Sequence, residues 1–292
     1  MFQRCLICTD FSDGLQRLVN FVPDLAASGL TQIVFLHVMT MSDEREVPRP
    51  NAAQEQQARD RLAAALHQVP SGVEVKVEVR WGRITEQILA VSKAYQTELL
   101  MLGMTTNTLL GEKLFGSTTM EICQQRAIPT FIFRPQLMST YTREELQLRC
   151  RHLFRHLLLP YDGSANSDYL VDQIKQYAGQ HPSQGIEHCL LCWVVDDVSR
   201  SKELEEYELK KAEEKLAVAR SALEGAELSV TTQLRKGHSV AQMLLAAQED
   251  DISAIAVSSE SLGRLLSWSS PSFAAEILRR SWYPVLYLPS GK

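Results

Sequence analysis

The chain repeats itself at the length of a whole domain, and this constrains its fold more than any other feature. Gly82, Glu121 and Pro129 recur as Gly237, Glu276 and Pro284, each 155 positions later, and Asp10 recurs as Asp162. Solenoid repeats recur every ~20–50 residues, so a period this long marks two independent domains. Half of a 292-residue chain lies near the commonest domain size and can bury its own core. One architecture should therefore serve both copies, and the differences between them should carry the functional information.

Apolar runs alternate with helical patterns through the first copy. Strands are expected at Phe2–Thr9, Gln32–Met39, Val73–Val79, Leu99–Leu102 and Thr130–Phe133. Helices are expected at Asp13–Ala27, Ala52–Val69, Ile84–Tyr95 and Ser117–Gln125. The first strand is apolar almost throughout, as a strand covered on both faces must be. The third alternates Val73, Val75, Val77 and Val79, which marks one polar face and a place near the sheet edge. Strands that alternate with helices pair in parallel through right-handed crossovers. Each copy is thus expected to be an α/β domain, an open, mostly parallel five-stranded sheet with helices on both faces, doubly wound.

In the second copy the strands fall at His156–Tyr161, His188–Val195, Leu228–Leu234, Ile252–Val257 and Val285–Leu288. A long helix, Glu203–Leu223, carries Leu209, Ala212, Leu216, Ala219 and Leu223 on one stripe. The boundaries read as a first domain at 1–138, a helical linker at 139–152 and a second domain at 153–292.

A net charge of −5 without a Lys/Arg cluster argues against nucleic acid as partner. No apolar run approaches a membrane span and the start lacks a signal peptide, so no membrane contact and a cytoplasmic location are expected. Cys5/Cys8 and Cys189/Cys192 form two C-x-x-C pairs. Both lie inside strands, where residues three apart face opposite ways about 10 Å apart. They are expected to be buried thiols, not a metal site.

Ligands of an open parallel sheet bind beyond the carboxyl ends of its strands. There the first copy places Thr9-Asp10-Phe11-Ser12, His37-Val38-Met39 and, after Leu102, a loop from Gly103-Met104-Thr105-Thr106 to Gly116-Ser117. Gly103 allows close approach of the backbone. Gly116-Ser117 opens a helix whose free N–H groups suit an anion, and Ser117, Thr118 and Thr119 add hydroxyls. A base between strands one and two with phosphates over the loop is the arrangement these residues suggest. Structural alternatives stand beside it. Asp10 and Asp162 are also good helix caps, Gly116-Ser117 could be only a helix start, and His37 could be a satisfied core histidine.

The "TDFS" after strand one, "LHV" in strand two, the glycine-bearing loop and a proline before strand five together resemble the universal stress protein family, across both copies. The resemblance implies an ATP site, with or without Mg, in which Asp10 and Val38 meet adenine and ribose. Gly103, Thr106, Gly116, Ser117 and Thr119 would then meet the phosphates. Thr106 stands where the family has a second glycine. The second copy keeps Asp162-Gly163-Ser164 but has Ser258, Ser261 and Pro271 in place of the three glycines. A proline there removes an N–H donor, so the second copy is expected to serve as a structural or regulatory partner, with Trp268 and Phe273 filling the vacated space.

The function implied is a non-catalytic, ATP-binding stress-response protein. An ATP-hydrolysing or adenylyl-transferring enzyme and a nucleotide-free interaction module remain as alternatives. The apolar last strands, Thr130–Phe133 and Val285–Leu288, would be hazardous if left open. The resemblance implies that the two halves pair through them within one chain, with a homodimer of chains left open.

Overall fold

The computed structural model describes residues 1–40, 52–104, 117–125, 128–180, 185–195, 202–258 and 273–289. Two compact units form, Phe2–Arg151 and His152–Lys292, Met1 counting with the latter.

The first unit contains β1 (Arg4–Cys8), α1 (Val22–Ala27), β2 (Gln32–Met39), α2 (Ala52–Leu62), β3 (Glu74–Trp81), α3 (Ile84–Ala94), β4 (Leu99–Gly103), α4 (Ser117–Gln125), β5 (Thr130–Phe133), α5 (Pro135–Thr140) and α6 (Arg143–Arg151). The second contains β6 (His156–Pro160), α7 (Ala165–Gln180), β7 (His188–Val195), α8 (Lys202–Glu224), β8 (Ser229–Lys236), α9 (Ser239–Glu249), β9 (Ala254–Ser258), α10 (Phe273–Arg280) and β10 (Val285–Leu288). Strand order is β3-β2-β1-β4-β5 in the first unit and β10-β9-β6-β7-β8 in the second, and the pairings within each are parallel. These are the expected doubly wound sheets. Strand order reverses between β1 and β4, and again between β6 and β9. No helix among the described residues is long and apolar enough to cross a membrane.

The positions that repeat in the sequence perform the same backbone task twice. The Pro129 carbonyl accepts the Leu100 N–H at 2.9 Å, and the Pro284 carbonyl accepts that of Ile255 at 3.0 Å. Gly82 and Gly237 sit at φ +139° and +119° and donate to Met39 and Val195. Glu121 accepts the Thr85 hydroxyl at 2.7 Å and ties α4 to α3, whereas Glu276 pairs with Arg279 of its own helix at 2.7 Å.

Some expected helices are divided. The segment expected as one helix over Asp13–Ala27 is a 3-10 turn at Leu15–Phe21 followed by α1. Pro23 has no N–H to give a preceding turn, so an α-helix running through it would lose a bond. The expected Ala52–Val69 helix ends at Leu62 and tightens to 3-10 over Ala63–Leu66. The stripe Ala212, Leu216, Ala219 and Leu223 of α8 is buried as its spacing predicts, with Leu209 half-buried.

Helix α6 opens with a reciprocal cap. The Thr142 N–H donates to Glu145 at 2.7 Å, and the Glu145 N–H donates to the Thr142 hydroxyl at 3.2 Å. The helix packs on α1, where Arg151 and Gln147 both donate to Asp24. All six cysteines are buried and reduced, and burial pushes the Cys123 and Cys189 thiols up to about 12.

Candidate functional site

The carboxyl ends of β2 and β3 open onto a cavity of about 440 Å³ in the first unit, walled by Asp10, Val38, Trp81, Ile84 and, from α2, Ala58 and Arg61. Asp10 and Val38, both expected at a ligand, therefore share one wall system. The Asp10 carboxylate also organises its own turn. Its Oδ1 accepts the Ser12 N–H and hydroxyl at 2.8 Å and the Asp13 N–H at 3.1 Å.

Phe11 follows at φ +67°, a left-handed conformation that is costly for a bulky side chain. Its ring is held from two directions. The Arg61 guanidinium lies 3.8 Å from the ring centroid and the His37 ring 4.2 Å away. His37 Nδ1 is 2.8 Å from the Thr9 carbonyl; a carbonyl can only accept, so Nδ1 carries the proton. Burial lowers the His37 pKa, with the Thr9 bond and Asp10 opposing.

Thr9 is committed internally. Its hydroxyl donates to Asp13 Oδ1 at 2.8 Å and accepts the Phe11 N–H at 3.0 Å. Leu102 turns its side chain into the core with Leu6, Cys8, Val34 and Ile122. At Gly103, a Cβ would lie 2.5 Å from Asp13 Cβ and 3.0 Å from Asp13 Oδ2. The room that the sequence suggests for a ligand at Gly103 is thus taken by Asp13, a residue sequence reasoning passed over. Burial raises the Asp13 carboxyl to about 6, Asp10 adds to the rise, and bonds from Thr9 and Leu15 oppose it.

Ser117 opens α4 as expected; Thr118 is half-buried and Thr119 buried within that helix. Thr106, Gly116, Ser261, Trp268 and Pro271 lie outside the described residues.

The second unit repeats this corner with altered side chains. Strand registers (Cys5 opposite Ile33, Leu157 opposite Cys189) make Asp162, Val194 and Trp193 the counterparts of Asp10, Val38 and His37. The buried stripes Ala58/Leu62/Ala65 and Ala212/Leu216/Ala219 likewise pair Arg61 with Lys215. Gly163 stands in place of Phe11 at the same φ of +67°, which glycine adopts freely. Lys215 closes over it, its ammonium donating to the Gly163 carbonyl at 2.5 Å. A cation from the second helix therefore holds the loop behind the aspartate in both copies.

Ala165 and Ser258 replace Asp13 and Gly103, so the crevice between β6 and β9 lacks the side chain that fills its counterpart. A cavity of about 470 Å³ lies there, lined by Pro160, Asp162, Val194, Ala256 and Ser258 among others. Phe273 forms part of its wall and leaves the space open. Desolvation pushes the Asp162 carboxyl up, but bonds from Ser164 and Ser167 outweigh this and leave it below the usual carboxylate range.

The sequence matches the model of the universal stress protein family over residues 1–134 and 153–289. A universal stress protein of Archaeoglobus fulgidus superposes with a TM-score of 0.67 at 18% identity, covering 98% of each chain. A functionally unknown protein of Pseudomonas aeruginosa PAO1 superposes at 0.60 and 13% identity, covering 98% of this chain and 92% of its own. These identities speak to the fold. No curated protein matches the sequence.

Proposed function

The chain belongs to the universal stress protein family, and from that premise we propose that it is a non-catalytic, ATP-binding stress-response protein whose first unit holds the nucleotide. The supporting observation is the composition of the first cavity. Asp10 and Val38 stand together there with an aromatic surface at Trp81 and a cation at Arg61. A nucleotide needs a flat apolar contact for its base, an acceptor for its hydroxyls and positive charge for its phosphates. All three chemistries meet in this cavity.

The residues present fit the nucleoside part. Asp10 accepts from ribose or base, and Val38 offers its apolar side chain and strand-end backbone. Arg61 offsets negative charge, while the family resemblance implies Gly103, Thr106, Gly116, Ser117 and Thr119 at the phosphates; of these Gly103 packs on Asp13 and Thr119 is buried.

Titration of Mg-ATP into the full chain should show one nucleotide per chain. Asp10→Ala and Val38→Phe should each weaken it at least tenfold, the latter by filling the cavity while keeping the aspartate turn. ATP binding unchanged in both variants, or absent from wild type, would refute the assignment.

A further inference from the structure

We infer that the outer face of α8 is a docking surface for a second copy of this chain, the two α8 helices lying antiparallel about a two-fold axis. This goes beyond the nucleotide reading of the first unit and does not depend on it.

Three observations carry it. The first is an apolar line on the side of the helix that faces away from its own core. Helix α8 packs on β7, β8 and α7, and its buried stripe is Ala212, Leu216, Ala219 and Leu223. On the opposite side Tyr207 and Val218 stand 62% and 71% exposed, with Leu204 at 51%. Exposed apolar side chains are ordinary when scattered singly. Here Leu204, Tyr207, Lys211, Glu214 and Val218 follow one another at alternating spacings of three and four, which is the seam of a helix that packs along another helix.

The second is the charge at the middle of that seam. Lys211 and Glu214 are exposed between Tyr207 and Val218. The ion pairs of α8 among the described residues lie elsewhere, Arg220 with Glu224 and Glu205 with Lys236. Laid antiparallel on a second α8, the seam sets Lys211 against Glu214 of the second copy and Tyr207 against Val218 of the second copy. Each of these layers then occurs twice, as a two-fold contact requires. A parallel pair would instead bring Lys211 against Lys211 and Glu214 against Glu214. Charge thus selects the antiparallel arrangement, and one face supplies both halves of every layer.

The third is the contrast between the repeats. Aligned on their buried stripes, α8 and the second helix of the first copy place Ala53, Gln57, Asp60 and Ala64 where α8 has Tyr207, Lys211, Glu214 and Val218. Neither a large apolar residue nor a cation stands on that line, and Asp60 accepts from Gln56 of its own helix at 2.8 Å. Two copies of one fold need this helix equally for their cores, so the fold itself does not call for the exposed seam of the second.

Sedimentation equilibrium of the full chain tests the inference, run up to about 1 mM, where even millimolar association is visible. A reversible dimer is expected. Lys211→Glu and Glu214→Lys should each weaken it by about tenfold or more, because like charges then face each other in both central layers. The double variant Lys211→Glu/Glu214→Lys should recover the dimer, and an equimolar mixture of the two single variants should form a heterodimer. Tyr207→Ala should also weaken association by about tenfold, since truncating an aromatic anchor is costly and symmetry counts it twice. All these side chains are exposed, and unchanged thermal melting of the dilute variants separates a lost contact from a lost fold. A chain that stays monomeric throughout, the result expected if another protein's helix covered this face, would overturn the inference. So would a dimer indifferent to both charge reversals, or charge reversals that the double variant fails to rescue.

Discussion

Replacing Gly103 by serine, the residue the second copy carries at the same point, is expected to destabilise the first unit by about 2–3 kcal/mol, within the range for overpacking a tight core. The new Cβ would lie 2.5 Å from Asp13 Cβ, a distance no side-chain rotation relieves. Gly103 is not among the residues with positive φ, so its backbone suits any residue and the whole cost is steric. The second copy shows the remedy, pairing Ser258 with Ala165. In a chain already carrying Asp13→Ala, the same Gly103→Ser change should cost less than about 1 kcal/mol. Residues in contact are expected to couple in this way. Hydrogen exchange of the β1 and β4 amides reads the first unit separately from the second. An equal cost for Gly103→Ser with and without Asp13 would show that the two positions do not compete for one space.

Asp13 should also make the first unit less stable as pH rises. Its folded carboxyl lies at about 6 against an ordinary 3.8, so between these values the native state keeps a proton that the unfolded chain has released. Stability therefore falls as pH climbs through that window, and the penalty is absent below about pH 4 and complete above about pH 6. Moving the carboxyl from 3.8 to about 6 corresponds to roughly 3 kcal/mol as an upper figure. Asp13→Asn preserves an oxygen for the Thr9 hydroxyl and the Leu15 N–H and removes the charge. It should match wild type near pH 4 and exceed it by about 1–3 kcal/mol at pH 7. Exchange protection of β1 measured across this range is the check, and parallel profiles for the two proteins would rule out Asp13 as the source.

These two residues show where sequence reasoning reaches and where it stops. Gly103 is conspicuous because a glycine at a strand end invites a functional reading. Asp13 looks like one more polar residue at a helix start. Their exchange for Ser258 and Ala165, small against large in one copy and the reverse in the other, is present in the aligned repeats. Its meaning appears only when the two side chains are seen to share one volume. Arg61 and Lys215 are similar. Their shared place beside the buried stripe of the second helix is readable, but their closing over Phe11 and Gly163 is a contact between segments some fifty residues apart.

The alternation of strands and helices, the repeat and the position of Asp10 and Val38 at strand ends all follow from the chain alone. Each rests on local periodicity or on neighbouring residues, and parallel pairing then admits few topologies. Which crevice is filled and which stays open was settled only in three dimensions. It depends on a few ångströms between side chains brought together from distant elements, and no periodic pattern records such a distance.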